Sequence, residues 1–170
     1  MQDTQAFVTL YKAQYPRVLA YARRRLPGLA EAEDCAAEVF RIAWEQDRTP
    51  DVGWLFVTAR NLTYAAHRAE GHRRDLASRF AFTPEADADP DLGVLEALDR
   101  LTEPERELLM AYYWDDLSGA QCARVLGCSV GAVWVRLHRA RQALKEVLLT
   151  DSGRTAPAVR PNLVRQGETP

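Results

Sequence analysis

Apolar residues recur at intervals of three or four along most of the chain, which is the spacing that gives an α-helix one buried face. The pattern predicts helices over residues 4–26, 30–46, 54–69 and 92–101, and three more that begin after Thr102, Ser118 and Ser129. Pro16 is expected either to kink the first helix or to begin a second one. The predicted fold class is therefore all-α.

The second and third helices each carry one apolar stripe that we expect to be buried. In the second helix the stripe consists of Ala32, Cys35, Ala36, Val39, Phe40 and Ala43. In the third helix it consists of Leu55, Thr58, Ala59, Leu62 and Ala66. The third helix also carries a second stripe at helical spacing, made of Trp54, Val57, Asn61, Tyr64 and Arg68.

The composition changes between residues 76 and 92, where prolines and acidic residues interrupt the apolar period. Such a stretch is typical of an extended, flexible linker. The chain therefore divides into an N-terminal module of residues 1–75, the acidic linker 76–92 and a C-terminal module of residues 93–150. Residues 151–170 have the composition of a disordered tail.

The C-terminal module contains the pattern of a helix-turn-helix. Ser118 caps a short helix with Ala123 and Leu126 on its apolar face, Gly127 ends that helix, and Ser129 caps the next. The buried stripe of this second helix comprises Val133, Leu137, Ala140, Leu144 and Leu148. In a helix-turn-helix the second helix lies in the major groove of DNA.

The opposite face of that second helix carries the candidate DNA-binding residues. These are Ser129, Gly131, Ala132, Val135, Arg136, His138 and Arg139, with Trp134 and Arg141 on the flank. Arg136, Arg139 and Arg141 place three cations within six residues, which suits phosphates and guanine edges. The alternative is an ordinary helical hairpin with a solvated arginine face.

The net charge of −2 is not what a DNA-binding protein is expected to carry, but the charges are unevenly distributed. Residues 76–117 hold three basic and eleven acidic residues, whereas residues 118–150 hold five basic residues and one acidic residue. This asymmetry indicates a nucleic-acid partner for the helix-turn-helix and a different role for the acidic part.

Several classes of protein are disfavoured by what the sequence lacks. No apolar run is long enough to span a bilayer, so we expect no membrane insertion, and the N-terminus does not resemble a secretory signal. Cys35, Cys122 and Cys128 have no zinc-binding spacing and are expected to be buried thiols in a reducing cytoplasm. No nucleophile elbow or phosphate-binding loop occurs. We therefore expect a cytoplasmic protein with no catalytic residue, no metal and no cofactor.

The second stripe of the third helix suits unpaired bases. Rings such as Trp54 and Tyr64 stack on bases with about 1–3 kcal/mol each, and the amide of Asn61 can read a base edge. Arg68 lies on the same stripe, and Arg73 and Arg74 follow it. The alternative is that the two rings are half-buried packing residues.

Two sets of short motifs stand in an order that matches a known family. The first set is Ala32-Glu33-Asp34, Glu38-Val39-Phe40, Ala43-Trp44, Trp54-Leu55 and Ala59–Leu62. The second set is Leu98, Leu101, Arg106, Leu117-Ser118, Ala123, Leu126-Gly127, Gly131, Val133, Arg136-Leu137 and Arg139–Arg141. Together they resemble the extracytoplasmic-function class of bacterial sigma factors, the smallest members of the sigma-70 family. The likeness covers residues 4–75 and 92–149.

The resemblance implies a role for each part of the chain. Asp34, Glu38 and Arg41 would dock on the clamp of core RNA polymerase. The loop 46–53 and the helix with Trp54 and Asn61 would capture flipped bases of the −10 element of promoter DNA. The helix-turn-helix would bind the −35 element, and the linker would enter the polymerase cleft. Members of this class are commonly held inactive by an anti-sigma factor.

The chain departs from the family pattern in its recognition helix. The family usually has polar residues where this chain has Trp134 and Val135. In the N-terminal module, the family usually has Gln where Ala37 stands and a carboxylate near Ala65. One hypothesis is that apolar contacts, for instance with thymine methyl groups, help to read the −35 box. The alternative is that Trp134 packs against the preceding helix and reads nothing. Selection of preferred −35 boxes by the wild type and by Trp134→Ala distinguishes the two.

Two other functions are compatible with parts of the sequence. A stand-alone helix-turn-helix regulator needs only the C-terminal module, usually as a symmetric dimer. It leaves the stripe with Trp54 and Asn61 unexplained. A helical adaptor would use the acidic and aromatic faces for protein contacts, and it would show no salt-dependent DNA binding.

Overall fold

The computed structural model describes residues 3–71 and 92–152, and within these ranges the chain forms α-helices and no strand. The helices are α1 Thr4–Arg23, α2 Leu29–Trp44, α3 Val52–Gly71, α4 Leu92–Asp99, α5 Glu103–Tyr113, α6 Gly119–Leu126 and α7 Val130–Ser152. The chain divides into two compact units, Met1–Glu85 and Ala86–Pro170. The all-α prediction is therefore confirmed.

The expected linker and tail fall largely outside the described residues. Helix α4 begins at Leu92, which is the last position assigned to the linker, and α7 continues to Ser152, two residues into the expected tail. The remaining residues of both segments, together with the basic residues Arg73 and Arg74, are not among those that the structure describes.

The first unit is a bundle in which α1, α2 and α3 all pack against one another. Pro16 lies inside the uninterrupted helix α1, so the expectation that it begins a second helix was wrong. Proline removes one backbone hydrogen bond, but residues on both sides of it are held by packing. The rings of Tyr11 and Tyr15 lie 5.0 and 5.8 Å from that of Phe40, and Tyr21 further along is fully buried.

The apolar stripe predicted for α2 is confirmed, because all six of its residues are buried. The stripe predicted for α3 is only partly right. Leu55 and Ala59 are buried, but Ala66 is exposed, and Phe56 and Thr63 are buried in its place. The ring of Phe56 meets that of Tyr21 edge-on, with centroids 5.4 Å apart. Contact with α1 has therefore rotated the buried face of α3 toward Phe56.

The second unit is built on α7, which packs against α4, α5 and α6. Its core contains buried residues from every helix, including Leu98, Leu108, Leu109, Cys122 and Leu137. Helix α5 begins with a capping box, in which the Glu105 carboxylate accepts a hydrogen bond from the Thr102 backbone N–H at 3.1 Å. No helix in the described parts of the chain is long and apolar enough to cross a membrane.

We predict that Phe56→Ala destabilises the first unit by about 3–5 kcal/mol, because removal of a fully buried ring leaves a cavity. Ala66→Ser is the matched control on the same helix. It should change the free energy of unfolding by less than about 0.5 kcal/mol, because Ala66 is exposed. Urea denaturation of the full chain measures both. A larger effect for Ala66→Ser than for Phe56→Ala would contradict the observed orientation of α3.

Candidate nucleic-acid interface

The predicted helix-turn-helix is present in α6 and α7. The Ser118 hydroxyl accepts a hydrogen bond from the Gln121 backbone N–H at 3.2 Å, and the Gln121 side chain accepts one from the Ser118 N–H at 2.8 Å. Gly127 ends α6 with φ of 65°, a left-handed conformation that favours glycine. Ser129 then caps α7 by accepting a hydrogen bond from the Ala132 N–H at 3.1 Å.

The buried stripe of α7 also agrees with the prediction. Val133, Leu137 and Ala140 are fully buried, Leu144 is nearly so, and Leu148 is half-buried. Because an α-helix has a fixed period, burial of this stripe determines which side chains face outward. Most of the predicted DNA-binding residues are exposed, namely Ser129, Gly131, Val135, Arg136, His138, Arg139 and Arg141, while Ala132 and Trp134 are half-buried.

The two flank residues of α7 are engaged by the tyrosines at the end of α5. The Trp134 ring meets the Tyr112 ring edge-on with centroids 5.9 Å apart. Seven residues later, Arg141 donates a hydrogen bond from Nε to the Tyr113 hydroxyl at 2.6 Å. Its guanidinium also lies 5.5 Å from the centre of the Tyr113 ring. Both side chains therefore connect α7 to α5.

Gly119, the first residue of α6, is buried against Trp134. A Cβ atom added at Gly119 would lie 2.7 Å from Cζ2 of the indole, closer than real Cβ contacts come. The glycine therefore lets α6 approach α7 at the indole ring. Sequence reasoning missed this contact, because the residues are 15 positions apart and lie on different helices.

The second stripe of α3 occupies one face of a continuous helix. Trp54 and Tyr64 are half-buried, whereas Asn61 and Arg68 are exposed. The Asp51 carboxylate accepts a hydrogen bond from the Trp54 backbone N–H at 2.8 Å and so fixes the start of the helix. Trp54 and Arg68 are separated by fourteen helical steps, or about 21 Å along the axis. The face therefore combines rings, an amide and a cation over a length that accommodates several bases.

The Tyr64 ring also contacts a neighbouring cation. The Arg60 guanidinium lies 4.4 Å from the ring centre, within the range of a cation–π interaction. This contact restrains the orientation of the ring. A restrained ring loses less conformational entropy when it stacks on a base.

The predicted polymerase-binding residues lie on α2, where Arg41 joins two carboxylates. Arg41 donates two hydrogen bonds to Glu38, both at 2.7 Å, and one to Glu45 at 2.5 Å. The hydrogen bond from Arg41 lowers the pKa of Glu38, and the same pair raises the pKa of Arg41. Because these groups are exposed, the ion pairs add little stability. They restrain the side chains of Glu38, Arg41 and Glu45.

Asp34 and Glu38 also line a groove of about 320 Å³ between α2 and α3. Its apolar lining includes Leu26, Cys35 and Leu62, and its acidic lining consists of Glu31, Asp34, Glu38 and Glu70. The polymerase-binding residues predicted from the sequence include Asp34 and Glu38 but not Glu31 or Glu70. Only the packing of α3 against α2 brings Leu62 and Glu70 to this groove. A groove with carboxylates around apolar residues suits a helix that carries basic and large apolar side chains.

Cys35 and Cys122 fit the expectation of buried thiols, whereas Cys128 does not. Burial raises the pKa of the Cys35 thiol to about 11 and that of the Cys122 thiol to about 12, so both stay protonated near neutral pH. Cys128 is half-buried and free. The described residues contain no cluster of three or more side chains that could hold a metal ion.

Comparison with known families places both units in one group of proteins. The family model for "Sigma-70 region 2" matches residues 10–73, and the model for "Sigma-70, region 4" matches residues 92–144. Two curated relatives are similar to most of this chain. The ECF RNA polymerase sigma factor SigL of Mycobacterium tuberculosis is 29% identical over 82% of this chain and 86% of its own. The ECF RNA polymerase sigma factor SigD of Mycobacterium bovis is 30% identical over 86% of this chain and 79% of its own.

A solved structure of a sigma factor is also similar to this chain. The chain is similar to the sigma factor RpoE from Bartonella quintana, which was crystallised with the anti-sigma factor NepR. The TM-score is 0.67 and the sequence identity is 25%, over 85% of this chain and 98% of that one.

We predict that Gly119→Ala destabilises the second unit by about 1–3 kcal/mol, because the added methyl group overlaps the Trp134 ring. In a Trp134→Leu background the same change should be nearly neutral. A double-mutant cycle by urea denaturation measures the coupling. Equal costs of Gly119→Ala in the two backgrounds would show that Trp134 is not what excludes a side chain at position 119.

Proposed function

The chain belongs to the extracytoplasmic-function class of the sigma-70 family, and on that premise we propose how its two units direct RNA polymerase to promoters. It is an alternative sigma factor, which initiates transcription by binding core RNA polymerase and recognising promoter DNA. We assign the N-terminal module to residues 1–75 and the C-terminal module to residues 93–150. One observation supports DNA binding by the C-terminal module most directly: α7 exposes Arg136, His138 and Arg139 on a helix-turn-helix whose opposite face is buried.

Helix α7 recognises the −35 element as duplex DNA. The N-terminal residues of a recognition helix contact base edges in the major groove, and here Gly131, Val135 and Arg136 occupy that part of the helix. Arg139 and Arg141 contact phosphates or guanine edges, because a guanidinium offers paired donors. Each phosphate neutralised releases counterions, so binding should weaken steeply as salt is added. Ser129, Ala132 and Trp134 set the start and the position of the helix.

Helix α3 holds the −10 element as single strands. Removing a base from the duplex stack costs a few kcal/mol, and stacking of that base on an aromatic ring returns about 1–3 kcal/mol. Trp54 and Tyr64 supply rings, and Asn61 supplies an amide that reads a base edge. Arg68, with Arg73 and Arg74 beyond it, neutralises the backbone of the melted strand. This mechanism is binding alone, and the chain contributes no catalytic residue, metal or cofactor.

The groove between α2 and α3 binds core RNA polymerase. Asp34 and Glu38 supply negative charge, and hydrogen bonds from Arg41 restrain the Glu38 carboxylate. The partner surface is the polymerase clamp, whose helices would insert apolar side chains between the carboxylates. The protein acts in the cytoplasm, where the polymerase and promoter DNA are found. An anti-sigma factor is a further partner, as it is for the similar RpoE of Bartonella quintana.

We predict that this protein and core polymerase give discrete run-off transcripts from DNA upstream of its own gene, and that core polymerase alone does not.

We predict that Asn61→Ala lowers this transcription at least about tenfold, because it removes a contact to an unpaired base. The same variant should bind −35 duplex as the wild type does. Normal transcription by Asn61→Ala would remove this residue from the −10 contact, and absence of both transcripts and core binding would refute the sigma function.

We predict that Asp34→Lys weakens binding to core polymerase by about tenfold or more, because it reverses a charge in the groove. Glu33→Lys is the matched control, since it makes the same charge change at the next exposed position, outside the groove lining. Its affinity should stay within about twofold of the wild type. Fluorescence titration of labelled protein with core polymerase measures both. Equal losses for the two variants would indicate a general charge effect instead of a docking site.

A further inference from the structure

The outermost row of α7 combines a glycine with an exposed valine. Gly131, Val135 and His138 follow one another at spacings of four and three residues, on the side opposite the buried stripe. The Val135 side chain is 53% exposed, so the fold uses little of its apolar surface. With Trp134 packed against α5, Val135 is the large apolar side chain that this row of α7 presents outward.

The glycines of the helix-turn-helix show why Gly131 differs from its neighbours. Gly127 has a positive φ, and Gly119 has no room for a side chain beside Trp134. Gly131 has neither reason, because its backbone is helical and a Cβ atom there would meet no heavy atom within 4 Å. Alanine is the better helix former at such a position. The fold therefore gives no reason for glycine at position 131.

Glycine is favoured where a backbone must closely approach a ligand. Gly131 lies near the start of the helix that we assign to the major groove, so the approaching ligand is DNA. Val135 stands one turn further along on the same row. In the major groove the apolar group of the base pairs is the C5 methyl of thymine. A valine that is exposed in the free protein is complementary to that methyl group.

We propose that Gly131 and Val135 together determine a thymine in the −35 box. The missing side chain at position 131 lets α7 enter the groove deeply, and the Val135 methyl groups then contact the thymine C5 methyl. Arg136 and Arg139 lie beside this pair and hold the adjacent phosphates or a guanine. The inference rests on the proposed function, and it assigns thymine recognition to Val135, not to the Trp134 ring.

The first test uses holoenzyme assembled from core polymerase and the full chain. Selection from duplexes randomised over the −35 region gives the preferred box, and each thymine in it is then replaced by uracil, which lacks only the C5 methyl. At one position uracil should lower the affinity of the wild type about fourfold, as expected for one buried methyl group. Val135→Ala should bind the thymine duplex about fourfold more weakly than the wild type does. This variant should bind the thymine and uracil duplexes with equal affinity.

Leu149→Ala is the matched control, because Leu149 is also an exposed apolar residue of α7 but lies near its other end. It should respond to uracil as the wild type does. The inference is overturned if Val135→Ala keeps the full response to uracil, or if the selected box contains no A·T pair. Failure of the wild-type holoenzyme to select any box would instead refute the promoter function, and this inference with it.

The second test separates stability from binding at position 131. Gly131→Ala should leave the urea midpoint unchanged or raise it, because it meets open space and improves helix propensity. The same change should weaken binding to the selected −35 duplex about tenfold or more, since a misplaced helix loses several contacts. Binding equal to that of the wild type would show that DNA does not approach this backbone closely and would overturn the role of Gly131.

Discussion

Burial of Val133, Leu137 and Ala140 against the neighbouring helices is the constraint on which the recognition surface depends. These side chains are fully buried, and the helical period then leaves Val135, His138 and Arg139 facing outward. The caps at Ser118 and Ser129 and the left-handed Gly127 fix where the helices begin and end. The orientation of the surface that we propose for DNA recognition therefore follows from a packing requirement combined with a turn of three residues.

In the first unit, α2 and α3 likewise each bury one face and expose another. Helix α2 buries the stripe that runs from Ala32 to Ala43 and turns Asp34 and Glu38 outward. Helix α3 buries Leu55 and Phe56 and presents Asn61 and Arg68. The buried faces are apolar and the exposed faces are charged or aromatic, which fits our proposal that this bundle binds polymerase and DNA on different surfaces.

The flank of α7 shows how an unusual side chain changes the roles of its neighbours. The ring of Trp134 is partly covered by Tyr112 and by the backbone at Gly119. Further along α7, Arg141 donates a hydrogen bond to the Tyr113 hydroxyl of α5. These contacts hold α7 against α5 and α6 in the free protein. A recognition helix positioned in advance loses less conformational entropy on binding DNA.

The sequence alone determined most of the fold and indicated which helix faces are candidate binding surfaces. Capping residues, the glycine at position 127 and the apolar period of α2 and α7 are local signals, and each specifies its element without reference to the rest of the chain. The charge asymmetry and the two motif sets were also readable, because they depend on order along the chain and not on packing. The family that these motifs resemble is the one that the comparisons show.

Only the tertiary structure decided which of several equivalent helix faces is buried and which distant residues meet. The α3 stripe was placed toward Ala66, whereas contact with Tyr21 of α1 buries Phe56 and leaves Ala66 exposed. The helix through Pro16, the acidic groove that includes Glu70 and the contact between Gly119 and Trp134 have the same origin. Each depends on side chains from different helices, and a helical period gives the spacing of residues along one helix but not the neighbour that each face will meet.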